Sequence, residues 1–203
     1  MVTDNFREAG TRLLTPLARN FPLDPMGISL LSLATAIGAG YCFSQADLDN
    51  KSEWLLFAAG LGFLTALLDA LDGIVARIRD MESKRGDLVD HTLDRIADVI
   101  ILGGIALGPL VDERAGFAAL LGVLLLSYMG TQAQAVGAGR VYSGLLGRAD
   151  RLVLLMAVPV IQFFFIAPIE GEYLITWMAY TFAAVCSGSA VLRFWLVWKF
   201  LEK

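Results

Sequence analysis

The chain has 203 residues, 57% of them hydrophobic, with a mean hydropathy of +0.64, a formal net charge of −4 and a pI near 5.0. So apolar a composition reads as a single integral membrane domain over residues 1–203, and the acidic balance argues against nucleic acid as a partner. Cys42 and Cys186 stand far apart in apolar runs and read as small buried hydrophobes, which leaves no disulfide and no cysteine-based metal site.

Residues 1–24 are too polar for a bilayer core, and they lack the apolar stretch and small-residue cleavage site of a signal peptide. Phe6, Ala9, Leu13, Leu17 and Phe21 recur at near-helical spacing with Arg7, Arg12 and Arg19 between them. That pattern predicts a helix lying in the cytoplasmic headgroup layer, kinked or divided at Pro16, with a solvated tail as the other reading.

Six transmembrane helices are expected over residues 25–201. Residues 25–46 carry no charge and are long enough to cross the roughly 20-residue core. The second span is uncharged from Trp54 to Leu68 and continues to about Arg79, while the third begins near Gly86 and is uncharged from Val99 to Val111. Further uncharged stretches run from Ala115 to Gly139, Leu152 to Ile169 and Tyr173 to Leu192. Lys and Arg cluster in the N-terminal segment, the 2–3 and 4–5 connections and the C-terminal end, 13 in all, against Lys51 and Arg114 on the other side. This bias places both termini in the cytoplasm.

Charges inside the second and third spans carry the chemistry. Asp69, Asp72, Gly73, Ala76 and Arg77 are three and four residues apart and share one helical face; Asp87, Asp90, Asp94 and Asp98 share another. Intramembrane carboxylates are costly, and like charges this close repel, so a cation is expected between the two faces. All-oxygen ligands favour Mg²⁺ or Mn²⁺. Gly73 and Ala76 leave room for close approach of a ligand, and Arg77 suits a phosphate oxygen. The combination points to a pyrophosphate-containing substrate whose site opens to the cytoplasm. His91, the only histidine, is expected to turn away from Asp90 and Asp94. Gly104 and Gly108 suit either close helix packing or a dimer contact.

Asp69, Asp72, Gly73, Ala76, Arg77, Gly86, Asp90 and Asp94 resemble, at every interval, the signature of the CDP-alcohol phosphotransferase family of integral membrane enzymes. The resemblance implies a six-helix, dimeric fold that moves a phosphatidyl-type group from a CDP-linked lipid to an alcohol and releases CMP. It implies metal ligation by Asp69, Asp72, Asp90 and Asp94, with two Mg²⁺ ions (or Mn²⁺), and Asp94 as general base. By the same resemblance Asp72, Gly73, Ala76, Arg77 and Gly86 line a nucleotide site. The family's Pro-Asn pair at the first span corresponds here to Pro25-Met26-Gly27-Ile28-Ser29, without the asparagine.

The acceptor is read from the second half. Ser127, Tyr128, Thr131, Gln132 and Gln134 bring polar groups into the fourth span, either to bond neighbouring helices or to line a cavity. The segment from Tyr142 through Gly147-Arg148-Ala149-Asp150-Arg151 resembles the inositol-phosphate-using branch of the family. That implies inositol 1-phosphate as acceptor, its phosphate held by Arg140, Arg148, Arg151 and Arg193. Glycerol 3-phosphate or serine is the alternative acceptor. An intramembrane prenyltransferase spaces its aspartates differently, and a divalent-cation transporter has no use for Arg77 beside the acids.

Overall fold

In the computed structural model, which describes residues 14–48, 53–139, 141 and 143–202, the apolar runs form helices with polar caps. Residues 14–19 are helical, and α1 (Pro25–Gln45) follows. Asp24 Oδ1 accepts from the Gly27 N–H at 3.0 Å, and Pro25 occupies the first turn, where its missing N–H leaves no bond unmade. Then come α2 (Glu53–Ile78), α3 (Lys84–Leu107), α4 (Glu113–Ala135), α5 (Arg148–Phe164) and α6 (Leu174–Leu201). No β-strand occurs among the described residues.

Four helices, α1, α2, α4 and α6, are long and apolar enough to cross a membrane, and only between 33% and 44% of their most apolar windows is buried inside the protein. Leu30, Phe57, Phe63, Leu121 and Phe194 face outward, a surface that suits lipid. α3 carries its charges in its first half, and α5 has 17 residues.

α1 packs on both α2 and α3, which do not pack on each other. The contact with α3 depends on missing side chains. A Cβ on Gly104 would stand 2.0 Å from the Gly40 carbonyl oxygen, and one on Gly108 would stand 2.6 Å from that of Phe43. The Gly104–Gly108 face is therefore used for helix packing within the chain. At the other edge α2 packs on α5, α3 on α4, and α4 on α6.

α2 ends in a reverse turn that sets the gap between α2 and α3. The Met81 N–H reaches back to the Ala76 carbonyl at 2.9 Å and the Asp80 N–H to that of Arg77 at 3.4 Å, with Asp80 left-handed at φ 53°. Ser83 then caps α3, its Oγ accepting from the Gly86 N–H at 3.0 Å. The chain reverses in five residues, leaving the acidic faces across an open cleft.

Leu14, Ala18 and Phe21 pack against Ile28, Leu68, Leu71, Ile74 and Val75, whereas Leu17 is 47% exposed. Residues 14–19 are helical on both sides of Pro16, which does not divide them. Phe6, Arg7, Ala9, Arg12 and Leu13 lie outside the described residues. Arg79 holds the segment in place, donating from Nη1 to the Leu23 carbonyl at 2.9 Å and from Nη2 to that of Phe21 at 2.6 Å.

α6 contains a π turn at Phe182–Cys186. Gly122 of α4 sits against it: a Cβ there would stand 2.9 Å from Ser187 Oγ and 3.1 Å from the Phe182 carbonyl oxygen. Beyond the turn, Ser189 and Arg193 hold the α4–α5 connection. Ser189 Oγ accepts from the Leu145 N–H at 3.0 Å, and Arg193 Nε donates to the Ser143 carbonyl at 2.8 Å. Gly144, at φ 108°, packs so closely on Ser189 that an added Cβ would stand 2.7 Å from the serine Cβ.

Candidate active site

α2 delivers Asp69 and Asp72 to the cleft, about 14 Å and 9 Å from its C-terminal end at 1.5 Å per residue. α3 delivers Asp90 and Asp94 from the opposite wall. A carboxylate oxygen from each of Asp69, Asp72 and Asp90 lies within 4.8 Å of the others, and Asp90 and Asp94 form a second such group with His91. All four aspartates line one small void of about 10 Å³, together with Ser29, Ser32 and Arg148. That space is of single-atom scale, and its hard oxygen donors fit a divalent cation such as Mg²⁺ or Mn²⁺.

Buried carboxylates need partners, and Asp72, Asp69 and Asp94 have them. Ser29 Oγ donates to Asp72 Oδ2 at 2.6 Å, fixing a carboxylate whose residue is only 6% exposed. Arg148 of α5 forks onto Asp69, with Nη1 to Oδ2 at 2.8 Å and Nη2 to Oδ1 at 3.2 Å. Its Nη2 also pairs with Asp94 Oδ1, so one guanidinium ties both acidic helices to a third. His91 departs from expectation: its Nδ1 lies 3.8 Å from Asp90 Oδ2.

Two cavities open on either side of this cluster and share Asp90. One, of about 370 Å³, includes Asp72, Gly73, Ala76, Arg77 and Gly86 in its lining, every residue expected at a nucleotide. Pro25, Met26 and Ser29 join them, so the start of the first span reaches the site through its hydroxyl despite the absent asparagine. Arg77 lies across Gly73, whose added Cβ would stand 3.8 Å from Arg77 Nη1.

The other cavity, of about 580 Å³, is lined by Asp90, Asp94, Arg148 and Arg193 together with Ser127, Tyr128, Thr131 and Gln134 of α4. The polar residues of α4 therefore line a cavity. Arg193 is held in place by the Leu126 carbonyl, which accepts from Nη1 at 3.0 Å, and by that of Ser143. Arg151 stands behind this wall: it is 4% exposed, donates from Nη1 to the Leu146 carbonyl at 3.2 Å and lies 3.6 Å from Asp98. Arg140 and Tyr142 lie outside the described residues.

Two participants were not singled out from sequence, Arg95 and the Ser29–Asp72 bond. Arg95 lines the larger cavity and pairs with Asp98 at 3.2 Å. A basic residue within a span, three residues before an aspartate, was the available signal.

A family model described as CDP-alcohol phosphatidyltransferase matches residues 24–186. The chain belongs to that family. Over 90 residues it is 41% identical to archaetidylinositol phosphate synthase of Pyrococcus horikoshii, covering 44% of this chain and 48% of that protein. The chain thus spans about half the length of that relative. Over 156 residues it is 31% identical to archaetidylinositol phosphate synthase of Methanothermobacter thermautotrophicus, covering 76% of this chain and 75% of the other. Among solved structures it is similar to phosphatidylinositol phosphate synthase of Mycobacterium tuberculosis with CDP-DAG bound. The TM-score is 0.76 at 25% identity, over 92% of this chain and 94% of that one. The complex of that synthase with manganese and citrate matches with the same score and identity over 91% and 88%. Family and apolar helices together make this chain an integral membrane protein.

Proposed function

We propose that this transferase moves a phosphatidyl-type group from a CDP-linked lipid to a hydroxyl of inositol 1-phosphate and releases CMP. The observation that carries this reading is the pair of cavities meeting at the aspartates, the larger one lined by Arg148 and Arg193 together with four hydroxyl and amide side chains. Fixed guanidiniums suit a phosphate monoester, and the polar wall suits a polyol. The named relatives are archaetidylinositol phosphate and phosphatidylinositol phosphate synthases, which supports the same acceptor.

In this reading the CDP diphosphate lies between Arg77 and the aspartates, and lipid tails extend over the apolar exterior. Asp69, Asp72, Asp90 and Asp94 would hold two Mg²⁺ or Mn²⁺ ions, Asp90 being common to both acidic groups. The bound cations offset charge on the diphosphate and on the departing CMP. An acceptor hydroxyl oxygen bonds to the lipid-proximal phosphorus, and the bond from that phosphorus to the bridging oxygen breaks in line. The hydroxyl proton passes to Asp94, and CMP leaves with the bridging oxygen. Arg193 and Arg148 hold the acceptor phosphate and Arg151 supports them from behind; Arg140, outside the described residues, is assigned to the same phosphate by the family resemblance alone.

The same reading takes α3 and α5 as further spans, giving six over residues 25–201 after an interfacial helix, in one domain over residues 1–203. Both termini and the site face the cytoplasm, as the Lys and Arg bias requires, and the enzyme works as a homodimer. Glycerol 3-phosphate shares the phosphate but makes little use of the polar wall, and serine lacks the phosphate. The deciding experiment is CMP release by the purified protein with CDP-linked lipid and Mg²⁺, comparing inositol 1-phosphate, inositol, glycerol 3-phosphate and serine. Release stimulated only by inositol 1-phosphate and abolished in Asp94→Asn is expected. Stimulation by another acceptor overturns the choice of acceptor, and metal flux into liposomes without CMP release overturns the reaction.

A further inference from the structure

Of the sixteen Lys and Arg residues, Arg95 alone takes no part in the aspartate signature or in the basic bias of the connections. It sits within α3, next to Asp94 in the chain. Neighbouring positions on a helix diverge by about 100°, so the Arg95 side chain must curl back to meet Asp94, and it needs an anchor to stay there. Two are present. Nη1 lies 3.2 Å from Asp98 Oδ2 and donates to Ser127 Oγ of α4. Nη2 then stands 3.6 Å from Asp94 Oδ2. Arg148 of α5 takes the other oxygen, Oδ1.

We infer that Arg95 is a positioning residue for the reaction: with Arg148 it grips the Asp94 carboxylate by both oxygens, and Ser127 sets Arg95 in turn. The inference rests on Asp94 being the base. A proton acceptor must keep one oxygen at hydrogen-bond reach of the attacking hydroxyl, and a carboxylate free to rotate about its Cβ–Cγ bond does not. Cations on both oxygens stop that rotation. The anchoring Asp98 is only 8% exposed and is also paired with Arg151, so the arrangement is backed by a part of the protein that does not face substrate.

The test compares Arg95→Lys, Ser127→Ala and the double variant for steady-state kinetics and for Mn²⁺ binding by electron paramagnetic resonance. Lysine keeps the charge but cannot span Ser127, Asp98 and Asp94 together. For Arg95→Lys, kcat is expected to fall by about 10–100-fold, with KM for inositol 1-phosphate and for CDP-lipid within about twofold of the parent. Ser127→Ala is expected to lose less, and the double variant no more than Arg95→Lys, because both act through one guanidinium. Mn²⁺ binding is expected to be at least as tight as in the parent.

A raised KM for inositol 1-phosphate with kcat kept makes Arg95 a substrate contact and overturns the inference, as does strictly additive loss in the double variant. Mn²⁺ binding weakened by more than about tenfold overturns it too, by assigning Arg95 to the metal site. If Arg95→Lys aggregates in detergent, Arg95→Gln carries the same kcat and KM comparison. No CMP release from the parent refutes the reaction and this role with it; an active parent beside an unaffected Arg95→Lys refutes only the role.

Discussion

Arg148 shows how a residue's type can be legible while its place is not. An arginine at this position reads as an acceptor-phosphate ligand, yet its nitrogens meet Asp69, 79 residues away in the chain, and Asp94. No local spacing reveals such a pair. Ser29 was quoted only as part of the first-span segment, but its 2.6 Å bond orients Asp72. Ser29→Ala is expected to weaken Mn²⁺ binding by about tenfold while leaving the protein folded, as read by metal titration and thermal melting. Arg151 and Arg193 should separate cleanly. Arg193→Gln is expected to raise KM for inositol 1-phosphate with little change for CDP-lipid. Arg151→Gln leaves buried Asp98 short of a partner and is expected to cost about 3–5 kcal/mol of stability, seen as a lowered Tm. The aspartates were legible because their intervals are fixed by helix geometry within one hairpin. Arg95 was not, because basic residues were weighed as topology markers and this one lies inside a span.

At the scale of the helix, uncharged length predicted the apolar runs well, since a bilayer-sized helix leaves a signal no turn can imitate. Which faces meet was less legible. Gly104 and Gly108 carried two readings, and the backbone of α1 decided between them by approaching to where no Cβ fits. Gly104→Ala must therefore push α1 and α3 apart and is expected to lower stability by about 1–3 kcal/mol. Gly60, with nothing within 4 Å of an added Cβ, is the control, and Gly60→Ala is expected to leave the melting temperature nearly unchanged. The π turn in α6 has no sequence mark at all, since Phe182–Cys186 is an ordinary apolar run.

For the whole molecule, net charge says little, because the charges that matter are sorted by depth. Basic residues gather at one end of the helices while four acids are held between α2 and α3. In the proposed orientation, a cytoplasm-active reporter fused after Lys203 is expected to be functional, and one inserted at Lys51 is not. Chelation with EDTA is expected to abolish CMP release, with Mn²⁺ or Mg²⁺ restoring it. The two cavities have one further consequence. On the proposed reaction, cavities that adjoin at Asp90 hold donor and acceptor side by side, and the phosphoryl group has no need to rest on the protein between them. Double-reciprocal plots of initial rate against one substrate at several levels of the other should then intersect, where a covalent relay gives parallel lines. A chiral phosphorus in the donor lipid should emerge with its handedness inverted, the mark of a single displacement.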